Sequence, residues 1–308
     1  GTLNVTAGGS GAVVTNSGTS SVTITGTVTQ INNLLSTDGT STVSYINSLD
    51  APAASTTLTL QVSDNGNTGS GGTLTASDTA TINIAAVNDA PVLGSGTLAS
   101  VSEDATNPAG QSVSTIFTGQ FSDPDGGTMS GIAIVGNTAN AGTQGVWQYS
   151  TNGGTNWYAV GTVADGASAL AVSSSTLIRF VPVADYNGTP PALVVRGLDN
   201  TYGGSFSTAA GTETRVTVNT SSSGGSTPIA AATANISTSI TAVNDAPVSV
   251  ITPTTYAATE QTSLTLKNTG LSISDADASS GSMTVTLSVG EGTLNVTAGG
   301  SGAVVTNS

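Results

Sequence analysis

The sequence predicts an all-β chain of antiparallel β-sandwich domains joined end to end by short linkers. Three observations carry this. Apolar residues come in short runs alternating with Ser and Thr, as in Thr57-Leu58-Thr59-Leu60-Gln61-Val62 and Met283-Thr284-Val285-Thr286-Leu287-Ser288-Val289. That is the period-2 signature of half-buried strands. Gly, Asn and Asp turns separate these runs, and no stretch has the spacing of an amphipathic helix. Residues 1–17 (GTLNVTAGGSGAVVTNS) return letter for letter as residues 292–308, an offset of 291 residues. A recurrence of that length reads as a window on a tandem array, opening and closing inside the same unit.

Internal boundaries follow from a second recurrence. Ala86-Val87-Asn88-Asp89-Ala90-Pro91-Val92 reappears as Ala242-Val243-Asn244-Asp245-Ala246-Pro247-Val248. Pro91 and Pro247 stop a strand from simply continuing and bias the preceding residue toward extended structure. The chain therefore divides into residues 1–89, the C-terminal part of a unit A; residues 90–245, a unit B; and residues 246–308, the N-terminal part of the next copy of A. Low-complexity stretches such as Gly66–Gly72 and Ser221–Ser226 read as surface loops. They lack the Lys and following helix of a phosphate cradle.

The composition closes off much chemistry. With neither Cys nor His, the chain has no disulfide, zinc site, thiol nucleophile or imidazole base. A net charge of −14 from 18 acidic and four basic residues argues against nucleic acid. No apolar run approaches the roughly 18–20 residues of a membrane span, so no membrane insertion is expected of this segment.

The acids are not scattered. Each unit carries an early Glu (Glu103 in B, Glu260 in A) and then an Asp-x-Asp (Asp123 and Asp125; Asp275 and Asp277). Each also carries a late strand ending in Asp-Asn (Asp199-Asn200; Asp64-Asn65) and a further Asp 14 residues before it (Asp185; Asp50). Together with Asn88, Asp89, Asn244 and Asp245 these sit on turns and linkers rather than exposed strand faces. Four cations cannot neutralise them, whereas a hard divalent cation takes six to eight oxygen ligands of this kind. The competing reading is that they only form turns with Asx hydrogen bonds.

The linker Val-Asn-Asp-Ala-Pro-Val, the early Glu, the Asp-x-Asp and the late Asp-Asn resemble the calcium motifs of cadherins. More closely, the chain resembles the cadherin-like tandem repeats of giant bacterial extracellular adhesins of the type I secreted, RTX-adhesin kind. The resemblance implies Ig/cadherin-like domains with Ca2+ bound between consecutive units. At the A–B junction it groups Asp50, Asn88, Asp89, Asp123, Asp125 and Asp199, with the glutamate from A seen in the next copy as Glu260. At the B–A junction it groups Glu103, Asp185, Asn244, Asp245, Asp275 and Asp277, the last ligand being the next copy's counterpart of Asp64. It further implies an extracellular stalk or filament whose partners are neighbouring repeats.

Two other readings were open to the sequence. Trp147-Gln148-Tyr149-Ser150-Thr151-Asn152-Gly153-Gly154-Thr155-Asn156-Trp157-Tyr158 is a hairpin signal. Its Ser-x-Asn-x-Gly-x-x-Trp spacing resembles an Asp-box turn. With Trp147, Tyr149, Trp157 and Tyr158 exposed, unit B would be a glycan-binding module; with the rings packed across strands, it would not. The other was a fibre whose subunits exchange strands. Carboxylates on repeated linkers rather than in one cleft argue against an enzyme.

Overall fold

The computed structural model describes residues 1–67 and 70–306. Part of the Gly66–Gly72 loop and the last two residues of the recurring segment lie outside the described residues. The chain is all-β, with helix among the described residues confined to two short segments, one within residues 28–37 and the other Val113–Ile116.

Residues 1–89 form three antiparallel pairs. β1 (Thr2–Thr6) pairs with β4 (Thr42–Ile46), β2 (Val13–Thr15) with β3 (Thr23–Thr25), and β5 (Ser55–Ser63) with β6 (Thr75–Asn83). Between β3 and β4, α1 (Val28–Asn32) runs into a π-helical turn, Asn33–Thr37. Apolar spacing gave no sign of α1; a capping box was the readable signal. Thr27 Oγ1 accepts from the Gln30 N–H, and Gln30 Oε1 accepts from the Thr27 N–H at 2.9 Å. Val5, Ala12 and Leu34 make a small buried cluster, whereas Leu58, Leu60 and Val62 of β5 are exposed.

Residues 90–245 hold the principal core. Its strands are β7 (Val92–Leu93), β8 (Gly96–Thr97), β9 (Val101–Ser102), β10 (Gln111–Ser112), β11 (Phe121–Ser122), β12 (Met129–Gly136), β13 (Gly145–Ser150), β14 (Tyr158–Ala159), β15 (Ala169–Ser173), β16 (Leu177–Pro182), β17 (Leu193–Asp199), β18 (Thr208–Ala210), β19 (Thr212–Thr214), β20 (Thr217–Val218), β21 (Ala234–Ser237) and β22 (Ile240–Thr241). One sheet has the order β10-β16-β13-β14 and the other β20-β15-β12-β17-β21-β8. Trp147, Tyr149, Ile178 and Phe180 from the first meet Ile132, Ile134, Leu170, Val195 and Ile236 from the second in one apolar cluster. The reverse face of the larger sheet is covered as well, with Ala133, Val135, Ala171 and Leu198 against Ile229, Tyr202 and Phe206. Burial on both faces explains why β12 reads Ile-Ala-Ile-Val without the alternation seen elsewhere. Each large side chain so buried contributes about 1.5–3 kcal/mol.

Residues 246–306 hold β23 (Val248–Ile251) paired with β24 (Leu271–Ser274). Among the described residues no strand here pairs with any in residues 1–89, so within one chain the two parts of A stay separate.

Candidate metal centres at the linkers

Both Asp-x-Asp segments fold as Asx turns. Asp123 Oδ1 accepts from the Asp125 N–H at 2.9 Å, and Asp275 Oδ1 accepts from the N–H groups of Asp277 at 3.0 Å and Ala278 at 2.7 Å. Each turn aims its second carboxylate at a linker. The Asp89 N–H donates to Asp125 Oδ2 at 2.6 Å, and the Asp245 N–H donates in the same way to Asp277 Oδ2. Turn formation is thus observed at both segments, and the same turns bring the second carboxylate to the linker.

At the A–B junction, Asn88 Nδ2 donates to Asp199 Oδ2 and to the Thr227 carbonyl, both at 3.3 Å. Thr201 Oγ1 bridges Asn88 Oδ1 at 3.0 Å and Asp199 Oδ1 at 2.6 Å. The fully buried Asp199 is thus satisfied by protein donors. Asp125 Oδ1 is buried and has no partner. A Cβ on Gly127 would lie 2.5 Å from Asn200 Oδ1 and 2.8 Å from Asp123 Oδ2, so those side chains would have to shift to admit one.

At the B–A junction the carboxylates converge. Parallel pairing of β22 with β9 lays the linker over Glu103. Glu103 is 2% exposed; its Oε1 accepts from the Val243 N–H at 2.6 Å and its Oε2 from Asn187 Nδ2 at 2.9 Å. Carboxylate oxygens of Glu103, Asp245 and Asp277 all lie within 4.8 Å of one another, as do those of Asp104, Asp185 and Asp245. Asp245 Oδ2 is buried without a partner. Burial, then the charges of Asp104, Asp277, Asp185 and Glu103, push the Asp245 carboxyl above the usual range. Like charges 4 Å apart repel by about 1 kcal/mol in water and about 4 kcal/mol at an effective dielectric of 20. The only ion pairs among the described residues, Arg196–Asp165 at 2.6 Å and Arg215–Glu213 at 3.6 Å, involve none of these acids. An all-oxygen, anionic cluster with an orphaned buried oxygen suits a hard divalent cation.

Several expected residues stand apart. Asp50 and Glu260 are exposed and make no hydrogen bond or ion pair among the described residues. Asp64 stays in its own hairpin, where Oδ1 accepts from Gly66 and Leu74 N–H at 2.9 Å, and these bonds lower its pKa. Asn244 donates only to the Asp245 carbonyl, at 3.3 Å. Asp104, which follows Glu103 directly, counts among the acids on the recurring motifs but stands outside the ligand groups expected from the sequence; Asn187, 84 residues from Glu103, was not among the expected residues.

The aromatic hairpin forms, with Gln148 opposite Ala159 and Tyr149 opposite Tyr158, but it offers no exposed ring pair. Trp147 and Tyr149 are fully buried, which corrects their assignment to a glycan surface. The Trp147 indole N–H donates to the Pro191 carbonyl at 2.9 Å and its ring packs edge-on against Phe180. Trp157 lies under the Arg179 guanidinium at 3.9 Å, and the Tyr158 hydroxyl donates to the Gly211 carbonyl at 2.9 Å. The Asp-box-like spacing serves the turn: Asn152 Oδ1 accepts from Ser150 Oγ at 2.9 Å and Asn156 N–H at 3.0 Å.

Compared with protein families, curated proteins and solved structures, the chain matches none.

Proposed function

We propose that this chain is a structural repeat region, the stalk or filament of a giant extracellular bacterial adhesin, stiffened by calcium at its linkers. The observation that carries this reading is the orphaned, buried Asp245 Oδ2 among the carboxylates of Glu103, Asp277, Asp104 and Asp185. Calcium there neutralises the repulsion and fixes the linker against B. Glu103, Asp245 and Asp277 hold it, with Asp104 and Asp185 beside them. At the other linker the counterpart donors are Asp125, Asp123, Asn88, Asp89 and Asp199, with Asp125 Oδ1 buried and unpartnered; among the described residues no three of their carboxylates converge as they do at the B–A junction. In a quasi-one-dimensional array each domain touches only its neighbours, so linker stiffness sets the stiffness of the whole. The role is mechanical, in adhesion or matrix formation outside the cell, and not enzymatic. Ig/cadherin-like architecture for each unit is part of this reading, supported in B by two sheets closing on one core.

Equilibrium calcium titration, paired with small-angle scattering with and without EDTA, tests it. Uptake at up to millimolar calcium and a longer particle in calcium are expected. No uptake, or dimensions indifferent to the chelator, would refute it.

A further inference from the structure

We infer that a cleft in unit B binds an organic monocarboxylate, whose anionic oxygen pairs with the guanidinium of Arg179. The inference goes beyond the mechanical role proposed above and does not depend on it. Every residue of the cleft lies between Leu98 and Thr238, inside unit B.

The cleft has a local cause. β10 pairs with β16 only through Leu177 and Ile178, so past Ile178 that edge of β16 has lost its neighbouring strand. The cleft lies there, lined by residues 98–102 and 108–109 together with Arg179 and Phe180, and encloses about 300 Å³. That volume falls at the lower bound for small-molecule sites, which are mostly apolar with a few placed polar groups. Val101, Ala105 and Pro108 are among its apolar residues, Ser100, Ser102 and Gln111 among its polar ones.

Arg179 is the unusual member. Ile178 and Phe180 on either side of it enter the core, so strand alternation turns Arg179 to the other face of the sheet, yet it is only 7% exposed. Its hydrogen-bond partners are all neutral. Nε donates to Gln148 Oε1 at 2.8 Å, and Nη1 donates to Asn107 Oδ1 at 2.6 Å and to the carbonyl of Pro108, itself part of the cleft, at 3.1 Å. Nη2 makes no hydrogen bond among the described residues. The other two arginines of B each reach a carboxylate, Arg196 at Asp165 and Arg215 at Glu213, whereas Arg179 reaches none. Burial lowers its pKa, with no carboxylate to oppose the shift. A desolvated cation is costly unless an anion meets it, and the two N–H donors of Nη2 remain to receive one.

The surroundings choose the anion. Gln111 Oε1 accepts from the Ala99 N–H at 2.8 Å, which leaves the amide N–H groups of Gln111 as further donors. A single guanidinium balances one negative charge, and Asp104, next to Ala105 in the chain, repels a second. A monoanion with a carbon body suits both the charge and the apolar lining. Inorganic sulfate, doubly charged and without such a body, suits neither.

Calorimetric titration of the full chain with glucuronate, hexanoate, glucose and sulfate tests this, with the melting temperature recorded for each variant. Saturable binding of glucuronate or hexanoate is expected, and the tighter of the two tells whether the body is a sugar ring or an alkyl chain. Arg179→Gln should weaken that binding by about 10–100-fold. Ala109→Phe, at an exposed position lining the cleft, should block it while the melting temperature stays that of the parent. No binding of either carboxylate, equal binding of glucose or sulfate, or unchanged binding in a folded Ala109→Phe variant would overturn the inference.

Discussion

The backbone N–H of Asp89 donates to Oδ2 of Asp125 at 2.6 Å, across the boundary between one unit and the next. The same contact recurs between Asp245 and Asp277, 32 residues apart rather than 36. A linker residue is clasped by the second Asp of an Asx turn whose first Asp holds the turn closed. The clasp occurs twice, with Asp125 Oδ1 buried and unpaired in one copy and Asp245 Oδ2 in the other.

Calcium should raise stability where the carboxylates converge. A ligand that binds only the native state adds about 2.7 kcal/mol at 100 times its dissociation constant. For a unit of B's size that amounts to a rise in Tm of about 5–11 °C. Differential scanning calorimetry with calcium and with EDTA measures it, and a Tm unmoved by either would count against the site.

The B–A junction should depend on Asn187, which fixes Glu103 through Oε2. Asn187→Ala should weaken calcium there by about 10–100-fold, the usual effect of losing a ligand's supporting hydrogen bond. Asp277→Asn should remove that binding step altogether. Calorimetric titration should show the A–B step unchanged in both variants.

Asp165 makes B sensitive to acid. Its hydrogen bond to Arg196, opposed by burial and aided by Thr220, holds its pKa down to about 2. A carboxyl with a depressed native pKa contributes stability above its unfolded pKa and loses it as pH falls through the native one. Stability should therefore drop between about pH 4 and 2, and in Asp165→Asn that part of the drop should vanish. The pair is partly exposed, so its worth is at most about 1 kcal/mol. Urea unfolding across this range measures it.

Trp147 and Trp157 should behave differently despite sharing a hairpin. Trp147→Ala removes a fully buried ring and should cost about 3–5 kcal/mol. Trp157→Ala removes a half-buried ring stacked on Arg179 and should cost about 1 kcal/mol beyond its lost area. Denaturant midpoints of the two variants give the comparison.

The repeated segment offers a control that few chains contain. Val5 is 5% exposed and Val296, its counterpart in an identical sequence, 44%. Val5→Ala should destabilise residues 1–46 by about 1–2 kcal/mol. Val296→Ala should be silent in dilute solution. Hydrogen exchange resolved by residue separates the two.

Much of the arrangement was legible because it is local or repeated. The Asn152-Gly153-Gly154 hairpin, the two linkers and both Asp-x-Asp turns depend on residues a few positions apart; strand periodicity held at Thr57–Val62, which lies in β5, and failed at Met283–Val289, which forms no strand. The burial of Trp147 was not legible, since it depends on Phe180 and Pro191, 33 and 44 residues away. Nor was the choice among acids wholly legible: Asp185 meets Asp245 as its grouping implied, but Asp104 joins them from outside the expected groups, and Asp50 and Glu260 make no hydrogen bond or ion pair among the described residues.

The 17-residue recurrence shows where the division falls. In both copies the Ala-Gly-Gly-Ser turn closes identically, Ser10 N–H to Ala7 carbonyl at 3.1 Å and Ser301 N–H to Ala298 carbonyl at 3.1 Å. Gly8 and Gly299 take φ of 53° and 55°. The bond that closes the turn spans three residues in both copies, so the letters suffice for it, although in the first copy the Gly9 N–H also donates to Thr40 Oγ1 at 2.9 Å. The flanking residues become β1 only in the first copy, where Thr42–Ile46 supplies the opposite edge and Leu34 the core. In the second copy, residues 293–297 form no strand. An extended segment has no hydrogen bonds of its own to make, and whether it becomes a strand rests with a partner elsewhere in the fold.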